Sequence, residues 1–205
     1  MIDLARLEAA PLQGEPFEFV VVEEFIRREH LPGLLAEFPQ IDRHGSFPLD
    51  EHPGGPSFQR LAAELCGPEL REAIEGKFAL DLSNRPTMIT LRGVGDRKDG
   101  RIHTDSDTKI VTLLLYMNAA WDQEGGRLRL LRGPDDLDDF AAEVTPLGGT
   151  MVAFRRSERS FHGHYPHLGP RRSLQLNWVV DEGVVRRELG RHRWSARLKA
   201  LNPFH

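Results

Sequence analysis

Two stretches of the sequence decide the fold: HTDSDTKIVTLLLYMN at residues 103–118 and FHGHYPHLGPRRSLQLNW at residues 161–178. The first contains the apolar, β-branched run IVTLLLYMN, which has the length of one strand. The second predicts a hairpin around residues 166–170, followed by a long strand. Further strands are predicted at GGRLRLL (125–131) and PLGGTMVAF (146–154), each next to a glycine turn. Several short strands with Gly and Pro between them indicate a β-sandwich or a β-barrel.

Two side chains of the first stretch are suited to binding a metal ion. His103 and Asp105 are two positions apart, and side chains at i and i+2 of a strand point to the same face. A further histidine from another strand would complete a set of two imidazoles and one carboxylate. That set leaves coordination positions open and suits non-haem Fe(II) chemistry with oxygen. Taken alone, a His-x-Asp pair is also common in solvated loops, so its meaning depends on the surrounding motifs.

The motifs follow one another in an order that is more specific than any one of them. They are HTD (103–105), LLYMNAAW (114–121), GGRLRLL (125–131), Gly148-Gly149-Thr150 leading to Phe154, His162 with Pro166 four residues later, and RRSLQLNW (171–178). In this order and spacing the chain resembles the 2-oxoglutarate- and iron(II)-dependent oxygenases, near their prolyl 4-hydroxylase-like branch. The resemblance implies a double-stranded β-helix, a form of jelly roll, with a metal ion held between its two sheets.

The resemblance also implies which residues hold the iron. His162 would join His103 and Asp105 as the third ligand. His164 shares a strand face with His162 and competes with it; otherwise it is a candidate to support a ligand or to contact the substrate. We expect His167 to lie in the exposed turn. Asp105 favours hydroxylation, because halogenases of the family replace this carboxylate with a small residue.

A second implication of the resemblance concerns 2-oxoglutarate, whose far carboxylate is bound by an arginine shortly after the second histidine ligand. Arg171 lies nine residues after His162. Strand alternation places Arg171 and Ser173 on the polar face of the predicted strand, and a guanidinium binds a carboxylate in a planar fork. Arg172 is the alternative anchor. Tyr116 matches a family position that hydrogen-bonds the same carboxylate, and its other interpretation is a core aromatic residue.

The sequence thus predicts a mainly β fold, with a double-stranded β-helix (jelly-roll) core at about residues 80–181 and flanking α-helices. Residues 1–205 are expected to form a single oxygenase domain with a helical N-terminal part. Two amphipathic helices are expected there, one with Ser57 as its N-cap and one that starts after Gly67. The segment from Asp181 onward is a basic C-terminal extension.

The composition restricts the class of protein. The 205 residues carry a net charge of -4, which argues against general affinity for nucleic acid. Cys66 is the single cysteine, so no internal disulfide can form, and a reducing, cytoplasmic location is expected. No apolar run reaches the roughly 18 residues that a membrane helix needs, and no signal peptide is visible. No membrane partner is therefore expected.

The expected activity is that of a dioxygenase with Fe(II) as cofactor and 2-oxoglutarate and O2 as cosubstrates. It would hydroxylate a C–H bond of a small molecule or a peptide and form succinate and CO2. Prolyl specificity does not follow from the resemblance, because this branch has many substrates, and the sequence sets no oligomeric state. Two other classes stay open: a non-catalytic or sensory jelly roll that binds a ligand, and a cupin-like metal hydrolase or isomerase.

Basic residues cluster next to both candidate histidine ligands. The loops before His103 and His162 contain Arg97, Lys98, Arg101, Arg155, Arg156 and Arg159. If both loops meet at one metal site, these residues form a basic rim that attracts anions, and the substrate is then expected to bear a carboxylate or phosphate. The acidic residues Asp96, Asp99 and Glu158 lie among them, so a solvated surface of mixed charge is the alternative.

Overall fold

The computed structural model describes residues 1–201, with side chains described as far as Arg191. Its strands are β1 (Phe19–Val22), β2 (Phe47–Pro48), β3 (Thr87–Gly95), β4 (Lys109–Tyr116), β5 (Leu128–Leu131), β6 (Phe140–Val144), β7 (Met151–Arg155), β8 (His162–Gly163) and β9 (Gly169–Val179). Its α-helices are α1 (Leu4–Ala9), α2 (Leu31–Glu37), α3 (Pro56–Leu65), α4 (Pro68–Phe78) and α5 (Glu182–Leu201), and a short 3-10 helix spans Leu49–Glu51. The run of strands from β3 to β9 is therefore uninterrupted, with helices before and after it.

The strands form two antiparallel sheets. The order along the larger sheet is β1-β7-β4-β9-β3-β2, and the order along the smaller sheet is β6-β5-β8. Phe154 of the larger sheet and Leu130 of the smaller sheet share one buried apolar cluster, so the two sheets face each other. This arrangement confirms the predicted mainly β fold with a double-stranded β-helix core and flanking helices.

The predicted hairpin around residues 166–170 is wrong. β8 pairs with β5 in the smaller sheet, whereas β9 pairs with β3 and β4 in the larger sheet. Residues 164–168 therefore cross from one sheet to the other. The Gly and Pro residues correctly predict a change of chain direction, but they do not indicate which strands pair with each other. Strand partners are selected by contacts with distant parts of the chain.

The central strand β4 separates two buried regions. Val111, Leu113 and Leu115 point to the side that the helices cover, where they join the main apolar core. Leu114 and Tyr116 point to the space between the sheets. The alternation of side chains along a strand explains this division. Truncating one of the buried leucines to alanine is expected to cost about 2–5 kcal/mol of stability.

The helices α3 and α4 cover the outer side of the larger sheet. Their buried residues are Phe58, Leu61, Ala62, Leu65, Leu70, Ile74 and Phe78. The predicted cap of α3 is wrong, because Gly55 is the N-cap and Ser57 lies inside the first turn. The Glu37 carboxylate caps the helix instead. It accepts hydrogen bonds from the Ser57 and Phe58 amides at 2.5 and 3.4 Å, and so pairs two N–H groups of the first turn.

The basic C-terminal extension begins with the helix α5. Val184 on this helix packs against Met88 of β3 and Val179 of β9 in a small apolar cluster. This contact fixes the first turns of α5 next to the larger sheet. Within residues 1–201, no helix combines the length and the apolar character that are needed to cross a membrane.

Candidate active site

Backbone pairing brings together two histidines that are far apart in the sequence. The His103 amide donates to the His162 carbonyl at 3.1 Å, and the His162 amide donates to the His103 carbonyl at 2.9 Å. The centroids of the two rings are 4.3 Å apart. Asp105 lies in irregular backbone beyond this bridge, so a regular strand through residues 103–105, as the motif suggested, is wrong.

Three possible metal ligands meet at this bridge. One ligand atom each of His103, Asp105 and His162 lies within 4.8 Å of the other two. Asp105 and His162 are buried, whereas His103 is exposed. In the part of the chain that the structure describes, no other group of three His, Cys, Asp or Glu side chains has this geometry. The structure therefore brings the three residues of the predicted site together.

The hydrogen bonds of the two rings determine which nitrogen is available to a metal. His103 Nδ1 lies 2.8 Å from the Arg101 carbonyl oxygen, and His162 Nδ1 lies 3.0 Å from the Ser160 carbonyl oxygen. A carbonyl oxygen only accepts, so each Nδ1 carries a hydrogen, and Nε2 is the ring nitrogen that is left to face a metal. Burial lowers the pKa of His162 to about 4, although the Asp105 charge opposes this shift, so this ring is neutral at neutral pH.

Two donors hold the Asp105 carboxylate, one on each oxygen. Lys109 Nζ donates to Oδ1 at 2.7 Å, and Thr112 Oγ1 donates to Oδ2 at 2.5 Å. Burial acts to raise the pKa of Asp105, but Lys109 and His162 outweigh it, and the pKa lies below its ordinary value. The carboxylate is therefore ionised, as a metal ligand must be. Two imidazole nitrogens and one carboxylate oxygen fit the donor set of non-haem Fe(II) sites.

The three possible ligands line a cavity of about 440 Å³. Arg171 lies in its wall, only 8% exposed, and its Nε donates to the Gly126 carbonyl at 2.9 Å. No carboxylate among the described side chains forms an ion pair with this guanidinium. Beside it, the Tyr116 hydroxyl is buried and has no hydrogen-bond partner among the described residues. Such a pair of groups fits the carboxylate of a bound 2-oxoglutarate.

Tyr116 and Arg171 influence each other directly. The Arg171 guanidinium carbon lies 5.6 Å from the centre of the Tyr116 ring. Burial raises the pKa of Tyr116, and the Arg171 charge opposes this shift. The phenol is therefore protonated at neutral pH and able to donate. Ser173 is the cross-strand partner of Tyr116 on β9 and lines the same cavity.

The alternatives to the predicted site residues lie elsewhere. Arg172 is on the opposite face of β9 from Arg171, where its guanidinium carbon lies 5.7 Å from the centre of the Phe38 ring. His164 lines the cavity but is outside the group of three ligands. Burial, followed by the nearby Arg171 charge, lowers the pKa of His164 to about 4. His167 is partly exposed in the segment that crosses between the sheets.

Only one of the two basic loops contributes to the wall of the cavity. Lys98 and Arg101 line it, together with Arg92 of β3, which sequence analysis missed. The three arginines of the other loop are not among the described lining residues. One of them, Arg156, instead donates from Nε to the Asp105 carbonyl at 3.3 Å and so holds the loop that contains Asp105. The predicted rim of two basic loops is thus reduced to one loop and one strand residue.

The two donors to Asp105 were not predicted from the sequence. Thr112 lies on the same face of β4 as Tyr116, so strand alternation was a usable signal for it. Lys109 has the opposite parity and reaches the cavity because the pairing of β4 with β9 shifts register between Lys109 and Val111. Such a bulge changes the direction in which a side chain points, and no local sequence pattern predicts it.

Several solved structures are similar to this chain. A Pseudomonas putida prolyl-4-hydroxylase is 20% identical with a TM-score of 0.56, over 87% of this chain and 93% of that chain. A Phytophthora capsici prolyl 4-hydroxylase is 19% identical with a TM-score of 0.62, over 87% and 66%. HygX from Streptomyces hygroscopicus, with nickel and 2-oxoglutarate bound, is 14% identical with a TM-score of 0.54, over 80% and 82%. At these identities the likeness establishes the fold.

A family model supplies the evidence on function. Residues 90–180 match the model of the 2OG-Fe(II) oxygenase superfamily. No curated protein sequence matches the chain. The matched residues include the complete His-x-Asp motif, the second histidine and the arginine of β9. Over residues 90–180 the chain is therefore similar to the 2OG-Fe(II) oxygenase superfamily, as its motifs predicted.

Proposed function

We propose that His103, Asp105 and His162 bind the Fe(II), and that Arg171 binds the far carboxylate of 2-oxoglutarate with Tyr116 beside it. The enzyme is then a hydroxylase that acts on a C–H bond of a small molecule or a peptide. One observation carries this assignment of residues: the two-His-one-carboxylate set and a buried guanidinium without an ion-pair partner among the described side chains line the same cavity.

Each residue has its own part in the reaction. When bound, Fe(II), 2-oxoglutarate and O2 supply the chemistry that converts R–H, O2 and 2-oxoglutarate into R–OH, succinate and CO2. Arg171 orients the cosubstrate through parallel N–H donors, and Tyr116 and Ser173 each add a hydroxyl. The ionised Asp105 and the neutral His162 keep their lone pairs available at neutral pH, so that no proton has to be displaced.

Each of the two rival functions leaves some of these residues without a role. A jelly roll that binds a ligand without turnover does not need three convergent metal ligands. A cupin-like hydrolase or isomerase does not need the pair of Arg171 and Tyr116, which suits a dicarboxylate. We propose that residues 1–205 form one domain, because α3 and α4 share an apolar core with β4 and β9. The proposal also includes a cytoplasmic location, since Cys66 is the single cysteine.

The proposed substrate is an anion. Cationic side chains outnumber anionic ones in the wall of the cavity, although the whole chain has a net charge of -4. The cationic lining residues are Arg92, Lys98, Arg101, Lys109, Arg171 and Arg191, and the anionic ones are Asp99, Asp105 and Glu188. The excess of positive charge in the wall raises the local concentration of anions. A carboxylate or phosphate on the substrate matches this field.

The assignment of the metal ligands is tested by succinate formation from 2-oxoglutarate in the presence of Fe(II), O2 and candidate substrates. Asp105→Ala and His162→Ala should abolish it and weaken Fe(II) binding. Asp107→Ala is the matched control, because Asp107 is an exposed aspartate two residues from Asp105. Full iron affinity and full turnover in both ligand variants would show that the metal site lies elsewhere.

A further inference from the structure

A chain of hydrogen bonds runs from β9 to the Asp105 carboxylate. Gln175 Nε2 donates to Asn177 Oδ1 at 2.9 Å, and Asn177 Nδ2 donates to Thr112 Oγ1 at 2.7 Å. Thr112 Oγ1 donates in turn to Asp105 Oδ2 at 2.5 Å. A hydroxyl has one hydrogen. Because Thr112 accepts from Asn177, its own hydrogen is directed to the carboxylate.

The residues of this chain are buried and stand on rigid elements. Thr112 and Asn177 are 1% and 0% exposed, and their Cα atoms are direct partners in the pairing of β4 with β9. Asp105, by contrast, lies in irregular backbone. Its terminal torsion is one that side-chain preferences leave broad. The orientation of its carboxylate is therefore determined by the two groups that donate to it.

We infer that Thr112 and Asn177 are positioning residues: through Thr112 they fix the plane of the Asp105 carboxylate for metal binding. This inference rests on the proposed function, since it takes Asp105 to be an iron ligand. Lys109 holds Oδ1 and Thr112 holds Oδ2, so the carboxylate cannot rotate without losing one donor. Partners that orient a metal ligand in this way have large effects on metal affinity although they never touch the metal.

The experiment is a titration of the protein with Co(II), whose visible absorption reports the ligand geometry. Thr112→Val should weaken Co(II) binding by about 10–100-fold and change the Co(II) spectrum. Thr112→Ala removes the hydroxyl without keeping the branched shape and should give the same loss. Thr112→Ser retains the hydroxyl and should restore the affinity and spectrum of the wild type. If instead the shape of the side chain matters, Thr112→Ser, which loses the methyl group, should bind Co(II) more weakly than Thr112→Val, which keeps the branched shape.

Asn177→Leu tests the second step of the relay. It should weaken Co(II) binding less than Thr112→Val, because the Thr112 hydroxyl stays but loses its orientation. The double variant should bind no more weakly than Thr112→Val alone, since both changes remove the same interaction. If the two losses add in full, the two residues act independently and the relay is wrong.

Matched controls are available at buried residues away from the cavity. Thr150 is a buried threonine, and Asn118 is a buried asparagine that donates to the Pro146 carbonyl at 2.6 Å. Thr150→Val and Asn118→Leu should leave the Co(II) affinity and spectrum unchanged. If they weaken binding as much as the Thr112 variants, the effect is general destabilisation and the inference is overturned.

Asp105→Ala, measured in the same series, distinguishes an error in the proposed metal site from an error in the positioning role of Thr112 and Asn177. If Asp105→Ala leaves Co(II) binding unchanged, the proposed metal site is wrong. If Asp105→Ala abolishes binding while Thr112→Val and Asn177→Leu bind like the wild type, the site stands and only the positioning role is wrong.

Discussion

Arg171 and Arg172 are neighbours in the sequence but lie on opposite faces of β9. Arg171 is buried in the wall of the cavity, next to the Tyr116 ring. Arg172 is exposed on the side that the helices cover, next to the Phe38 ring. Strand alternation requires this separation, and it means that a change at one arginine serves as the control for the other.

Arg171→Ala should weaken 2-oxoglutarate binding. The loss of a desolvated, charge-assisted contact is expected to cost on the order of 2–4 kcal/mol. Arg172→Ala should bind 2-oxoglutarate almost as the wild type does, because its side chain faces away from the cavity. Calorimetric titration of 2-oxoglutarate into the Co(II)-loaded protein measures both. If only Arg172→Ala weakens 2-oxoglutarate binding, Arg172 and not Arg171 is the anchor.

The two arginines also illustrate which features of the site can be predicted from the sequence. The parity of β9 and the short motif at His103 and Asp105 are local patterns, and each placed its residues in the cavity correctly. The partner of β8 was predicted wrongly, because strand pairing depends on contacts between distant segments. Lys109 was missed for a related reason, since its direction depends on a register shift against β9. The sequence motifs thus pointed to the proposed ligands but not to the groups that hold them.

Lys109→Met should destabilise the protein in the absence of added metal. Without the ammonium, the buried Asp105 charge loses its ion-pair partner, which is expected to cost about 1–3 kcal/mol. Saturating Co(II) should narrow the difference from the wild type, because the metal supplies the missing positive charge. Urea unfolding with and without Co(II) measures both values.

The control for this variant is Lys77→Met. Lys77 Nζ donates to the carbonyls of Glu8 and Ala10, and Lys77 is not among the residues that line the cavity. Its loss should cost the same stability with and without Co(II). A Lys109→Met variant whose deficit is also independent of Co(II) would contradict an electrostatic role at the metal site.

The stability of the protein in the presence of a chelator should fall as the pH decreases from about 6.5 to 4. Burial lowers the pKa of both His162 and His164 to about 4, from an ordinary value of 6.5. Protonation then favours the unfolded chain, so stability is complete above the unfolded value and is lost as the pH approaches the folded value. Each histidine contributes roughly 3 kcal/mol by this linkage.

His164→Gln provides the test of this pH dependence, because it removes one of the two histidines without changing a proposed metal ligand. Urea unfolding between pH 7.5 and 4.5 should show a loss of stability about half as large as in the wild type, by the same linkage. Equal losses in the two proteins would show that His164 is not held in its neutral form.

Glu37→Ala should destabilise the fold without affecting the metal site. The Glu37 carboxylate accepts hydrogen bonds from the first turn of α3, and loss of such a cap costs about 1 kcal/mol. Ser57→Ala should cost less, because Ser57 is not the N-cap. Co(II) affinity should stay unchanged in both variants. If Ser57→Ala lowers the stability more than Glu37→Ala does, Ser57 and not Glu37 is the residue that caps α3.

The charge of the cavity wall leads to a prediction about the substrate. Lys98 and Arg101 are exposed lining residues with no ion pair among the described side chains. Arg155 pairs with Glu18 at 3.1 Å and does not line the cavity. The two sets of basic residues therefore differ in their position relative to the cavity, although both lie close to a proposed histidine ligand in the sequence.

The double change Lys98→Gln and Arg101→Gln should reduce the preference of the enzyme for anionic substrates. A panel of carboxylic acids and the matching amides is compared by the stimulation of succinate formation. The wild type should prefer the acids, and this preference should weaken with added salt, because attraction between exposed charges is screened. Arg155→Gln with Arg159→Gln is the control and should retain the preference. Equal stimulation of the wild type by acids and amides would exclude an anionic substrate, because the field of the cavity wall would then have no effect on selection.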